Sequence, residues 1–148
     1  MTEHKKIVLA SGVFDLIHYG HVKFLERAKK KGGKNAELFV VVARDSYVKR
    51  SKGEYPILPE EERRALVESL KPVDKAFLGY EKMNMSKIIE TNTPDVIALG
   101  YDQHKIEQNV KALVNQKGYN VKVVRIERFG RDLDSSSQIK HKIASNTK

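Results

Sequence analysis

Four short, nearly continuous apolar runs punctuate the chain: Ile7–Ala10, Leu38–Ala43, Val96–Leu99 and Val121–Val124. None approaches the roughly 20 residues that a membrane-spanning helix needs. Runs without polar alternation predict strands buried on both faces, and such strands belong to parallel sheets covered by helices. The segments between them carry helical periodicity. Gly20–Lys31 sets Val22, Leu25 and Ala28 on one face, and Gly32–Gly33 stops it. Leu58–Leu70 reads as a helix with Pro59 early and three glutamates in its first turn, as the helix dipole prefers. Met85–Thr91, Lys105–Gln116 and Ser136–Ala144 are further predicted helices, the last with Ser135 as N-cap and Gln138 three residues on. Strands are expected at Ile7–Ser11, Glu37–Ala43, Lys75–Leu78, Asp95–Leu99 and Val121–Arg125.

This alternation predicts an α/β fold: a single doubly wound, Rossmann-like parallel sheet of about five strands with helices on both faces. The 148 residues suit one domain spanning 1–148. No cysteine is present, which excludes disulfides, thiolate metal sites and cysteine nucleophiles. With no long apolar segment and no signal-peptide core, the chain reads as mature, soluble and cytoplasmic. The formal charge is +9, but the lysines are scattered, with only Lys29–Lys31 as a tight run. A solvated basic surface explains that pattern without a nucleic-acid partner.

Ligands of doubly wound sheets bind beyond the carboxyl ends of the strands. Polar and glycine residues cluster there, at Ser11–His21, Arg44–Lys52, Gly79–Tyr80, Gly100–Gln103 and Arg125–Ser135. The stretch Gly12-Val13-Phe14-Asp15-Leu16-Ile17-His18-Tyr19-Gly20-His21 joins the first strand to the first helix. Gly12 permits a close turn or a close backbone approach to a ligand. His18 and His21 are three apart at a helix start and can share a face. Gly20 leaves room for a phosphate against the backbone. A helix N-terminus supplies free N–H groups and a positive dipole end. Two imidazole donors added there make a polyphosphate clamp; the alternative is a helix start with two incidental histidines.

This stretch resembles the GxFDxxHxGH signature of the cytidylyltransferase-like nucleotidyltransferases. It continues as Val22-Lys23-Phe24-Leu25-Glu26-Arg27-Ala28-Lys29, similar to that family's first helix. The resemblance covers nearly the whole chain. It implies that His18 and His21 contact a nucleoside triphosphate and stabilise the transition state at its α-phosphate. It also implies nucleotide contacts at Val13, Phe14, Tyr19 and Gly20. Leu99-Gly100-Tyr101-Asp102-Gln103 resembles the family's base- and ribose-contacting turn, which assigns a nucleotide contact to Asp102; a plain strand-exit turn is the alternative. Ser135-Ser136-Ser137 resembles a Ser/Thr helix start that closes over phosphates, a role compatible with simple N-capping. Phe129, just before it, could meet the nucleotide through its backbone.

The mechanism implied is in-line attack of an acceptor phosphate on the α-phosphorus with loss of pyrophosphate, which needs positioning and charge neutralisation rather than a covalent intermediate. Magnesium would be held mainly by phosphate oxygens and water, since no all-protein cage is visible. The runs Ala43-Arg44-Asp45-Ser46-Tyr47-Val48-Lys49 and Leu70-Lys71-Pro72-Val73-Asp74-Lys75-Ala76 most resemble archaeal FAD synthases, the FMN adenylyltransferases of this superfamily. That implies ATP plus FMN giving FAD and pyrophosphate. Lys23, Lys49, Lys52 and Arg63 are candidates for the FMN phosphate or the leaving pyrophosphate. Arg64 has Glu60 at i,i+4 as a helix partner, which leaves Arg63 as the better candidate.

Three other readings stand beside this one. A CTP-dependent transferase acting on glycerol 3-phosphate or a similar phosphorylated molecule is the nearest. The glycerol-phosphate enzymes carry Arg-Thr-Glu-Gly-Ile-Ser where this chain has Arg131-Asp132-Leu133-Asp134-Ser135. The others are a non-catalytic nucleotide-binding module and a nucleic-acid-binding domain, the latter suggested by charge alone. A homodimer is compatible with the superfamily. Lys82–Lys87 reads as a solvated loop, and His4, His104 and His141 as surface residues.

Overall fold

The computed structural model describes residues 5–82, 84–127 and 136–146. The elements run β1 (Ile7–Gly12), α1 (Tyr19–Lys30), β2 (Glu37–Val42), α2 (Asp45–Lys52), α3 (Glu60–Glu68), β3 (Lys75–Leu78), α4 (Met85–Asn92), β4 (Val96–Leu99), α5 (His104–Lys117), β5 (Lys122–Arg125) and α6 (Ser136–Asn146). The five strands form one sheet in the order β3-β2-β1-β4-β5, every pairing parallel. The expected doubly wound sheet is therefore present.

The apolar runs follow from burial on both faces. Successive strand residues point to opposite sides. Val8 and Ala10 of β1 join Val40 and Val42 of β2 and Ala98 of β4 against Leu25 and Ala28 of α1 and Val67 of α3. Their neighbours Leu9, Val41, Ile97 and Leu99 pack on the other side against Ile88 and Ile89 of α4 and Val110 of α5. Each such aliphatic side chain contributes about 1.5–3 kcal/mol on full burial, so a polar residue at either parity would be excluded.

From β1 the chain steps outward through β2 to β3, then crosses back to β4 and β5. The β1 and β4 exits thus diverge, which is where a ligand crevice opens in such sheets. Gln103 spans them. Its Oε1 accepts the Gly100 N–H at 2.7 Å, and its Nε2 donates to the Ser11 carbonyl at 3.4 Å.

Two elements differ from expectation. Asp45–Lys52 is a helix that the sequence periodicity did not predict. Only Val48 of α2 is buried, so the segment carries no helical apolar stripe. It is fixed from its ends instead. The Asp45 N–H donates to Glu60 Oε1 at 2.8 Å, the Glu60 N–H donates to Asp45 Oδ2 at 3.3 Å, and Gly53 closes the helix at φ 83°. Helix α3 is shorter than the predicted Leu58–Leu70, with Pro59 as its N-cap and Ser69 as its C-cap. The expected Glu60–Arg64 pair is also absent. Arg64 binds Glu61 and Glu68, while Glu60 turns back to Arg44 at 3.1 Å. In Lys82–Lys87, Asn84 caps α4 through the Lys87 N–H, and Met85 is buried.

The two glycines after α1 play different parts. Gly33 sits at φ 84° with open space where a side chain would go. A Cβ on Gly32 would lie 2.6 Å from Val8 Cγ2 and 2.7 Å from Ala36 Cβ. We expect Gly32→Ala to destabilise by about 1–3 kcal/mol through overpacking, and Gly33→Ala by about 1–2 kcal/mol through backbone strain alone. Urea midpoints measure both; a Gly32→Ala protein as stable as the parent would contradict the packing of Gly32 against Val8 and Ala36.

Candidate active site

Both histidines of the motif are at the start of α1, and their first task is local. His18 is the N-cap, with φ −142° and ψ 179°. Its Nδ1 accepts the Gly20 N–H at 3.1 Å, and the His18 N–H donates to Nδ1 of His21 at 3.3 Å. This is a capping box built from imidazoles in place of the usual hydroxyl and carboxylate. A ring nitrogen that accepts a hydrogen bond carries no proton, so in both rings the proton belongs on Nε2. The rings lie 3.9 Å apart between centroids, and the Phe14 ring is 5.4 Å from that of His21. Burial, reinforced by His18 and only partly opposed by Asp15, pushes His21 from the usual 6.5 down to about 3. His21 is therefore a neutral donor at physiological pH.

The loop leading into these histidines is held from three directions. Phe14 is buried, and its ring fills the space where a Gly12 side chain would project, 2.9 Å from an ideal Cβ. Asp15 is also buried. It accepts the N–H groups of Ile57 at 2.8 Å and Leu58 at 3.0 Å, and meets Lys140 of α6 at 2.7 Å. Burial alone would raise its carboxyl pKa, but Lys140 and the two backbone donors more than offset that and lower it. Val13 presents its carbonyl to Arg63.

Arg63 is a correction to the sequence reading. Its side chain has 0% exposure and makes four hydrogen bonds: Nε to Leu58 O at 2.9 Å, one terminal nitrogen to Val13 O at 2.7 Å and Ala43 O at 2.8 Å, the other to Asp45 Oδ1 at 2.6 Å. A guanidinium so enclosed does not reach a substrate phosphate. It ties the β1 and β2 exits and the loop before α3 into one body. Arg44 does similar work at the neighbouring exit, donating from Nε to the Gly79 carbonyl at 2.6 Å.

The remaining candidates are distributed along the same sheet edge. Tyr19, the first residue of α1, is exposed, with Lys23 Nζ 5.3 Å from its ring centre. Lys23 also pairs with Glu26 at 3.3 Å, and Tyr19 first and Glu26 next raise its pKa above the ordinary lysine value. Lys52, the last residue of α2, is exposed. Lys49 donates to the Gly53 carbonyl at 2.8 Å. Asp102 is exposed in the turn after β4, on the far side of β1 from α2. Phe129 and Ser135 lie outside the described residues, as do Arg131-Asp132-Leu133-Asp134, His4 and the side chain of Ser136, whose backbone opens α6. His104 and His141 are exposed, as expected.

Sequence reasoning assigned no role to Asp15, Arg44, Asp45, Gln103 or Lys140, and gave Glu60 only that of a helix partner to Arg64. Asp15 and Gln103 lay inside quoted motifs and could have been found there; the others depend on pairings between distant segments. A groove of about 480 Å³ between the end of α5 and β5 includes Tyr119 and Gly118 but no motif residue. No helix among the described residues is long and apolar enough to cross a membrane.

Comparison with known proteins agrees with this fold. Residues 9–142 match the family model described as Cytidylyltransferase-like. An FAD synthase of Thermoplasma acidophilum is 47% identical over 136 residues, 92% of each chain. An FAD synthase of Methanopyrus kandleri is 50% identical over 135 residues, 90% of this chain and 89% of its own. The crystal structure of a lipopolysaccharide core biosynthesis protein from Thermoplasma volcanium superposes with a TM-score of 0.76 at 44% identity, covering 85% of this chain and 99% of that one. A pantoate-β-alanine ligase from Francisella tularensis shares the fold alone, with a TM-score of 0.67 at 16% identity over 95% of this chain and 67% of its own. With a model match across nearly its whole length and a paired-histidine helix start at the centre of its sheet, this chain belongs to the cytidylyltransferase-like family.

Proposed function

We propose that the protein is an FMN adenylyltransferase: it transfers AMP from ATP to the phosphate of FMN, giving FAD and pyrophosphate. The observation that carries the reading is the pair of imidazoles fixed at the N-terminus of α1, in a chain about half identical over 90% of its length to proteins named FAD synthase. A phosphate oxygen of FMN attacks the α-phosphorus of ATP, and the bond to the bridging oxygen breaks. Pyrophosphate leaves with the electron pair. His18 and His21 offer Nε2–H groups to the phosphates and stabilise charge that grows in the transition state. Their orientation is set beforehand by the capping bonds, so little reorganisation is needed at the moment of reaction. Asp102 and the backbone of Val13, Phe14, Tyr19 and Gly20 serve the nucleotide; Phe129, Ser135 and Ser136 belong to the same assignment. Lys23 and Lys52 remain the cations for acceptor phosphate or pyrophosphate.

A divalent cation such as magnesium would supply further charge neutralisation if carried in with the substrate. Among the described residues no group of three or more His, Cys, Asp or Glu side chains is arranged to hold a metal ion. Asp15, the carboxylate of the motif, is already engaged by two backbone donors and Lys140. The donor set therefore fits a cation carried by the substrate rather than a protein cage. The proposed working compartment is the cytoplasm.

The deciding assay offers ATP or CTP with FMN or glycerol 3-phosphate and follows both pyrophosphate and FAD. FAD is expected with ATP and FMN only; turnover confined to CTP and a small phosphate ester would transfer the protein to the cytidylyltransferase branch. His18→Ala and His21→Ala are each expected to lower turnover about 10²–10³-fold, as loss of one preorganised donor does; near wild-type rates in both would sink the mechanism. The His21 ring proton resonances should stay flat between pH 8 and 5 in the free protein. Because the unfolded chain takes up that proton near 6.5 and the folded chain only near 3, stability should fall as pH drops below about 6.5. A His21 midpoint near 6.5 in the folded protein would remove the neutral-donor argument.

A further inference from the structure

A cleft of about 310 Å³ opens at the same sheet edge, lined by Tyr47, Arg50, Ser51 and Lys82. Three of these stand at i, i+3 and i+4 on one face of α2, the arrangement that brings helix side chains together. Lys82 comes from the segment that follows β3. The cleft therefore lies beyond the carboxyl ends of β2 and β3. The triphosphate motif follows β1 in the middle of the sheet, and the Asp102 turn follows β4 on the other side. Phosphates at α1 and a base toward β4 leave the β2–β3 side to the acceptor.

Helix α2 spends little of its surface on the core, with Val48 its one buried residue, yet its start is firmly fixed. Asp45 receives the buried Arg63, and Arg44 reaches the Gly79 carbonyl just after β3. This gives the cleft a rigid wall, while the side chains facing it are not committed to packing. Their chemistry is a flat phenol ring, two cations and a hydroxyl. The Ser51 hydroxyl donates back to the Tyr47 carbonyl at 3.0 Å, so its oxygen is oriented to accept.

We infer that this cleft is the subsite for the isoalloxazine ring of the acceptor, an inference that rests on the FMN reading above. The ring system is flat and aromatic, which suits stacking on Tyr47. Its pyrimidine end carries two carbonyls and an acceptor nitrogen, which suit Arg50 and Lys82, and one N–H, which suits the Ser51 oxygen. The cleft volume is at the lower end of small-molecule sites. A simple anion would use the two cations and ignore the phenol.

Lumiflavin, which has the ring but neither ribityl chain nor phosphate, separates these cases. Flavin fluorescence quenching is titrated on the whole protein, alongside KM for FMN and for ATP in FAD formation. Tyr47→Leu should weaken lumiflavin binding and raise KM for FMN about five- to tenfold, with KM for ATP unchanged; Tyr47→Phe should restore both. Lys82→Gln, at an exposed position that folding does not need, should raise KM for FMN with the same selectivity. Equal lumiflavin quenching by the parent and Tyr47→Leu overturns the subsite even when FAD is formed. Binding of FMN and inorganic phosphate without lumiflavin also overturns it, leaving an anion site. Tyr47-dependent lumiflavin quenching in a protein that makes no FAD supports the subsite while the adenylylation reading fails.

Discussion

The architecture of the site depends on one buried guanidinium. Arg63 has no exposed surface, yet its donors end on the carbonyls of Val13, Ala43 and Leu58 and on the Asp45 carboxylate. Those carbonyls belong to three chain segments: the β1 exit, the β2 exit and the loop before α3. None has a strand partner at that point, and each would be costly to bury unpaired. A planar group with a fixed fork of donors satisfies them together, which a flexible ammonium could not do. Desolvating the charge is itself unfavourable, and removing one partner of a buried pair typically costs about 3–5 kcal/mol. Arg63 is thus held to one geometry, and through it the β1 exit, the β2 exit and α2 are held to one another.

Asp15 is the counterpart with opposite sign. Arg63 takes the Leu58 carbonyl, while Asp15 takes the Leu58 and Ile57 N–H groups. The loop before α3 is gripped by its acceptor on one residue and its donors on another, which leaves it little freedom to slide. Lys140 then extends the network to α6. Between these anchors the motif backbone adopts conformations that L residues seldom take, with Phe14 at φ 55° and Leu16 at φ 50°. Such residues cost on the order of 1–3 kcal/mol each and persist where their surroundings over-determine them. The surroundings here are specific: the buried Phe14 ring over Gly12, the Asp15 bonds and the Val13–Arg63 bond.

Much of this was legible in the sequence, and the exceptions have physical causes. Apolar runs revealed β1, β2 and β4 because burial on both faces leaves a one-dimensional mark. The paired histidines were visible because a helix start makes residues three apart neighbours. Helix α2 left no such mark: one buried valine is not a stripe, and its stabilising partner Glu60 belongs to another helix. Arg63 was misread for a related reason. In sequence an arginine without a helix partner looks free to meet a phosphate, and only the folded chain shows that the carbonyls of Val13 and Ala43, from distant segments, and of nearby Leu58 converge on it. Glu60 and Arg64 had the right spacing for a pair, but the tertiary claims of Arg44 and the Asp45 N–H outweighed a local contact that is worth a few tenths of a kcal/mol.

The histidine pair shows why stability and chemistry are coupled at this site. A serine and a glutamate would cap α1 well, but would leave no donors for phosphate. Imidazole can do both because its two nitrogens act in opposite senses. The Nδ1 atoms accept from the His18 and Gly20 N–H groups, and in doing so assign the proton to Nε2. Burial keeps His21 uncharged, so under the proposed mechanism it meets a triphosphate as a neutral donor. A positive histidine would attract phosphate more strongly in the ground state, and that attraction does not by itself accelerate the reaction. In the proposed mechanism a neutral donor with its direction fixed by the helix cap responds instead to the charge that develops as the phosphoryl group moves. Under the proposed mechanism the cap is part of the chemistry: the same two hydrogen bonds that begin α1 determine which ring nitrogens carry the proton.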